Sequence, residues 1–226
     1  PGAAAAMERL RQIKGAIFDL DGTLLDSMGI WEQIDARFLE RRGIPLPPDY
    51  AEAVKAMEFS QAAEYTIRRF GLQETPQALM EEWTALSQQA YARQIELKPG
   101  AKEYLAQLAE QGVLLGIATS ATEELFIPAL RHNGVWDLFA AHTTTGQVAR
   151  GKGFPDIYWA TAEKLGLRPE ECAVFEDILP GVQGARQGGF LTVGVYDPYS
   201  EAQWEQMQKE ASLCIRSFEE LLGQPV

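Results

Sequence analysis

A chain of 226 residues with 46% hydrophobic content can bury a sizeable core as one large domain, or as one domain carrying a smaller insertion. Its 20 basic against 32 acidic residues leave a net charge of −12. That balance repels nucleic acid and anionic membranes, and any phosphate-bearing substrate must be drawn in by local cations. The two cysteines, Cys172 and Cys214, lie in apolar stretches and fit a reducing cytoplasm better than a disulfide framework, and no run of 18 apolar residues is present to form a membrane span.

The opening Pro1-Gly2-Ala3-Ala4-Ala5-Ala6-Met7 lacks the charged head and long apolar stretch of a secretion signal. It reads as an appended remnant ahead of a natural start at Met7 and is set aside from the fold. Ala16-Ile17-Phe18 reads as a short buried strand that delivers two carboxylates, Asp19 and Asp21, to a Gly22-Thr23 turn. Positions i and i+2 of a strand share a side, so the two acids start out facing one way and separate where the chain turns. One can then attack as a nucleophile while the other moves a proton. Taken alone, the segment reads equally well as a solvated turn after a strand.

Residues 26–95 carry four helical patterns, 29–42, 49–57, 60–70 and 76–93, punctuated by Gly43, Pro45-Leu46-Pro47-Pro48, Gly71 and Pro76, with no convincing strand. They form a helical insertion joined to the rest at Leu25–Ser27 and Ile95–Pro99. Strands and helices then alternate: a helix over 100–111, a buried strand over Val113–Ala118, a helix over 122–133 and a weak strand near Ala140–Thr145. A helix over 156–166, which Asp156 could cap and Gly166 could close, is followed by a strand at Ala173-Val174-Phe175 and a helix over 180–188. A strand at Leu191–Val195 and helices over 200–211 and 217–222 complete the chain. Strands that alternate with helices and are apolar on both faces indicate an α/β fold: a Rossmann-like parallel sheet core with helices on both faces, over 7–25 and 96–226, interrupted by the helical segment 26–95.

Ligands of an open parallel sheet bind beyond the carboxyl ends of its strands. At those ends stand Asp19 and Asp21, Thr119 and Ser120, and Glu176 and Asp177, while Gly151-Lys152-Gly153 lies ahead of the helix at 156. This set suits phosphoryl transfer, which needs positioning and positive charge around a spread negative charge. Asp19 and Asp177 can give carboxylate oxygens to Mg²⁺, and the Asp21 backbone carbonyl another. Lys152 can neutralise both nucleophile and phosphate, and Thr119 can hydrogen-bond a phosphate oxygen. Singly, Thr119-Ser120 reads as a helix cap, Lys152 as a solvated lysine and Glu176-Asp177 as a cap for the next helix; the four groups together, in this order, do not.

These segments resemble the four motifs of the haloacid dehalogenase superfamily, in the subgroup with an α-helical cap inserted after the first motif. Asp19–Thr23 matches Asp-x-Asp-Gly-Thr, Thr119 the hydroxyl residue ending the second strand, Lys152 the lysine of Gly151–Asp156, and Glu176-Asp177 the acidic pair. The resemblance runs from about Lys14 to Leu222. It implies that 26–95 is the cap domain and that Asp19 is the nucleophile forming an aspartyl-phosphate. Asp21 would protonate the leaving alkoxide and then activate water. Thr119, Ser120 and Lys152 would bind the phosphoryl group, and Asp19, Asp21, Asp177 and Glu176 would hold Mg²⁺. Ile178 stands where many relatives have Ser, and Gly153 where many have Pro.

The resemblance extends to β-phosphoglucomutases and phosphoglycolate phosphatases, so the cap must discriminate between them. Trp31 stands at the position of a mutase histidine, and Phe59 at that of the arginine that grips the distal phosphate. The expected function is therefore hydrolysis of a small phosphomonoester, a sugar phosphate or similar metabolite, with the mutase reaction second and a non-catalytic phosphometabolite-binding protein third. Trp31, Glu58 and Phe59 are candidates to face the substrate. Asp21 argues against a dehalogenase, and Lys55, as the cap's one lysine, leaves little basis for imine chemistry. The expected protein is cytoplasmic, a monomer or weak dimer, without nucleic-acid or membrane partners.

Overall fold

Gly15–Phe18 forms strand β1, buried at every residue. Its two faces enter different cores. Ile17 joins Ile157, Tyr158, Val174, Ala185 and Phe190 on one side. Phe18 stacks on Phe175 at 4.4 Å between ring centroids, with Tyr104 and Phe218 completing an aromatic cluster. Truncating such a fully buried Phe to Ala costs about 3–5 kcal/mol.

The computed structural model describes residues 2–54, 57 and 59–223. The chain divides into two compact units, residues Pro1–Ser27 with Glu96–Val226, and Met28–Ile95. In the first unit, α1 (Ala3–Leu10) precedes β1, and α6 (Ala101–Glu110) follows the Met28–Ile95 segment, whose own helices are α2 (Ile30–Glu40), α3 (Tyr50–Val54), α4 (Phe59–Phe70) and α5 (Pro76–Arg93). Then come β2 (Leu114–Thr119), α7 (Glu123–His132), β3 (Phe139–Thr144), α8 (Asp156–Leu165) and β4 (Cys172–Glu176). The chain ends with α9 (Leu179–Gln187), β5 (Leu191–Val195), α10 (Glu201–Glu210) and β6 (Leu213–Ile215). The six strands are parallel in the order β3-β2-β1-β4-β5-β6, with helices around them. The chain leaves β1 toward β2 on one side and later returns to β4 on the other, so the carboxyl ends of β1 and β4 flank the crevice where such sheets bind ligands.

Four sequence expectations need correction. The opening residues are not outside the fold: the alanine-rich run makes α1, whose Ala6 and Leu10 are buried and which packs on β5 and β6. Residues Leu213–Ile215 add a sixth strand, three residues long and too short for its periodicity to register. The expected helix over 217–222 is one 3₁₀ turn, Phe218–Leu221, capped by Ser217. Asp156 does not cap α8; Arg150 takes its carboxylate at 2.7 Å, and Pro155 occupies the cap position, whereas Gly166 closes the helix as expected.

In the second unit, α2 (Ile30–Glu40), α3 (Tyr50–Val54), α4 (Phe59–Phe70) and α5 (Pro76–Arg93) bury Ile34, Phe38, Tyr50, Leu79 and Trp83. α3 is described only to Val54, short of the expected 57. Arg42 lies 3.7 Å over the Phe38 ring and bonds Glu74 at 2.7 Å and Glu82 at 2.9 Å. The Thr75 hydroxyl caps α5 at the Ala78 N–H, with Pro76 in the first turn.

Candidate active site

Strand parity explains which side chains meet. Asp19 follows Ile17 on β1 and Glu176 follows Val174 on β4, so both acids continue the rows that face α8. The Asp19 N–H extends the ladder to the Phe175 carbonyl at 3.0 Å. Lys152, in the turn ahead of α8, reaches both acids: its Nζ donates to Asp19 Oδ1 at 2.5 Å and to Glu176 Oε2 at 2.7 Å. Burial opposes the ammonium charge, but the fields of Asp19 and Glu176 outweigh it and hold Lys152 protonated.

The Thr23 hydroxyl sits between two carboxylates, 2.9 Å from Asp19 Oδ2 and 3.0 Å from Asp177 Oδ1. It has one proton to share between them. Burial first, and then the charge of Asp19, push the Asp177 carboxyl up; the same two causes raise Glu176, against the pull of Lys152. Asp21 is held separately: the Ser27 hydroxyl donates to its Oδ1 at 2.7 Å. Two acids one residue apart thus occupy different surroundings, Asp19 buried among charges and Asp21 half-buried.

Asp19, Glu176 and Asp177 each offer an oxygen within 4.8 Å of the others. This all-oxygen set, with one lysine against three buried carboxylates, fits a hard divalent cation. Thr119, fully buried at the end of β2, accepts from the Ala121 N–H at 3.0 Å, which keeps its hydroxyl proton available as a donor. Neither Thr119 nor the exposed Ser120 bonds to the acid cluster. Trp31 and Phe59 belong to the other unit, where they pair edge to face at 6.3 Å with about two-fifths of each exposed. Lys55 and Glu58 lie outside the described residues.

Two glycines on α9 permit this packing. A Cβ at Gly184 would collide with the carbonyl oxygens of Lys152 and Phe154, and one at Gly181 with the Glu176 carboxylate. Ile178 supplies no side-chain cap to α9; Gln203 accepts from the Leu179 N–H at 2.7 Å instead. Thr23, Ser27 and Tyr158, whose phenol donates to Glu176 Oε2 at 2.6 Å, were not among the expected site residues. For Thr23 the first motif itself was the available signal, since it places a hydroxyl four residues after Asp19.

The model of the haloacid dehalogenase-like hydrolases matches residues 16–195, and the chain belongs to that family. Hexitol phosphatase A of Escherichia coli (strain K12) is 30% identical, covering 92% of this chain and 93% of its own. The β-phosphoglucomutase of Bacillus subtilis (strain 168) is 29% identical over 81% and 83%. In fold, a putative β-phosphoglucomutase from Thermotoga maritima matches with a TM-score of 0.81 at 23% identity, covering 93% of this chain and 97% of that one.

Proposed function

We propose that the chain hydrolyses a small phosphomonoester, a sugar or polyol phosphate, through a phosphoryl group carried on Asp19. The class itself, a phosphoric monoester hydrolase of the haloacid dehalogenase-like family, rests on the family match and its phosphatase relatives. The observation that carries the mechanism is the separation of Asp19, bound to Lys152, from Asp21, bound to Ser27. In this reading an Asp19 oxygen bonds to phosphorus as the ester oxygen leaves with a proton from Asp21. Asp21 then accepts a proton from water, whose oxygen attacks phosphorus and frees the Asp19 carboxylate and phosphate. Lys152 and the Thr119 hydroxyl balance charge on the phosphoryl oxygens, with Ser120 beside them.

Asp19, Asp177, the Asp21 carbonyl and, at the margin, Glu176 would hold Mg²⁺. When bound, the ion neutralises charge between carboxylates and phosphate. The segment 26–95 serves as the cap, and the free thiols of Cys172 and Cys214 suit a cytoplasmic protein. The mutase reading draws on the Bacillus relative, but Phe59 at the position of the phosphate-gripping arginine favours hydrolysis. The test is phosphate release from p-nitrophenyl phosphate and from a panel of hexitol phosphates, with glucose 1-phosphate isomerisation assayed alongside. Mg²⁺-dependent release supports hydrolysis, isomerisation without release supports the mutase, and neither reaction rejects both.

A further inference from the structure

We propose that Tyr158 is a positioning residue for the phosphoryl-binding lysine, acting through Glu176; this rests on the phosphatase reading of the site. Tyr158 lies in the first turn of α8, fully buried, with its ring against Phe190 at 6.2 Å. Its hydroxyl donates to Glu176 Oε2 at 2.6 Å, and the same oxygen receives Lys152 Nζ at 2.7 Å. A buried phenol needs a partner, and among the described residues its only one is this carboxylate oxygen. The other oxygen, Oε1, has no hydrogen-bond partner among the described residues and lies over Gly181, where no side chain can enter. The orientation of Glu176 is therefore set by two donors on one oxygen. Lys152 is one of them, and it is the group that must stay on Asp19. Tyr158 is the other, and it is anchored in the core.

The geometry assigns a division of labour. With the phenol in place, Oε2 is a fixed second anchor for Lys152, so the ammonium stands beside Asp19 before substrate arrives. Without the phenol, Glu176 keeps a single donor and can swing with the lysine. The ammonium then meets the phosphoryl group from a wider spread of positions, and binding of the phosphate itself weakens as well as turnover.

The experiment compares wild type, Tyr158→Phe and Phe190→Leu in p-nitrophenyl phosphate hydrolysis with Mg²⁺, in product inhibition by inorganic phosphate, and in thermal unfolding. Tyr158→Phe should raise the inhibition constant for phosphate about five- to tenfold and lower kcat about tenfold, as expected for losing one charge-assisted hydrogen bond. Phe190→Leu, which disturbs the ring but leaves the hydroxyl, should lower the melting temperature without moving the inhibition constant. A Tyr158→Phe enzyme with unchanged phosphate inhibition, even if less stable, overturns the proposal and leaves Tyr158 as packing, with the phosphatase reading intact. A wild-type enzyme that neither turns over nor binds phosphate overturns both.

Discussion

Thr23 and Asp177, 154 residues apart in the chain, meet at 3.0 Å through a hydroxyl that also touches Asp19. One proton thus serves two buried carboxylates, and the turn after β1 is tied to the end of β4. Thr23→Val keeps the shape and removes the proton. It should cost about 1–3 kcal/mol in urea unfolding, from leaving buried acceptors short of a donor, and should weaken Mg²⁺ affinity. Unchanged unfolding and metal titration would show that the hydroxyl does not join the two acids.

Three buried acids around one lysine should make the fold sensitive to a divalent cation. Mg²⁺ at a hundred times its dissociation constant should stabilise the wild type by about 2.7 kcal/mol, read as a concentration-dependent rise in melting temperature. Asp177→Asn should abolish that rise and be more stable than wild type in chelator, because burial already disfavours the Asp177 charge. A magnesium response that survives this substitution would remove Asp177 from the metal site.

Gly184 offers a test in which helix propensity and packing oppose each other. In an exposed helix, Gly→Ala stabilises by about 0.5–1 kcal/mol. Here the added Cβ meets the Lys152 and Phe154 carbonyls, which are backbone and cannot swing away. Gly184→Ala should therefore destabilise the protein and displace Lys152, lowering activity more than stability. A more stable, fully active variant would place the Lys152 loop elsewhere.

Asp35, half-buried on α2, has its carboxyl raised from an ordinary 3.8 to about 7, by burial first and then by Glu32. The folded protein thus holds this proton more tightly than the unfolded chain. Stability from this residue is full below about pH 4 and is lost as pH climbs toward 7. Asp35→Asn should match wild type near pH 4 and exceed it at pH 8 by on the order of 2 kcal/mol, after allowing for solvent screening at a partly accessible site. Parallel unfolding curves from pH 4 to 8 would contradict the shift.

The strand-end acids, the lysine and the helical insertion were legible because each depends on local pattern: an apolar run, a turn signal, a carboxylate at the boundary. The parallel sheet followed from alternation, and the structure bears that out. Partnerships were not legible. Tyr158 reads as one more apolar-face residue of α8 until the register of β1 against β4 puts Glu176 under its hydroxyl. Gly181 and Gly184 read as weak points in a helix until Glu176 is seen to press on the first and the Lys152 loop on the second. Ser27 lies six residues beyond Asp21, and only the fold of the intervening turn brings them to 2.7 Å. The second acid of the pair, Glu176, was expected at the metal and is found holding Lys152 and Tyr158 while still offering an oxygen to the acid cluster.

In the proposed reaction an Asp19 carboxylate oxygen attacks phosphorus. Rapid acid quench during turnover of a phosphomonoester, followed by mass spectrometry of the digested protein, reads this directly. A phosphoryl group is expected on the peptide spanning Asp19 and none in Asp19→Asn, which should also be inactive. Turnover by the wild type with no phosphorylated peptide, or with the group on another residue, would contradict it.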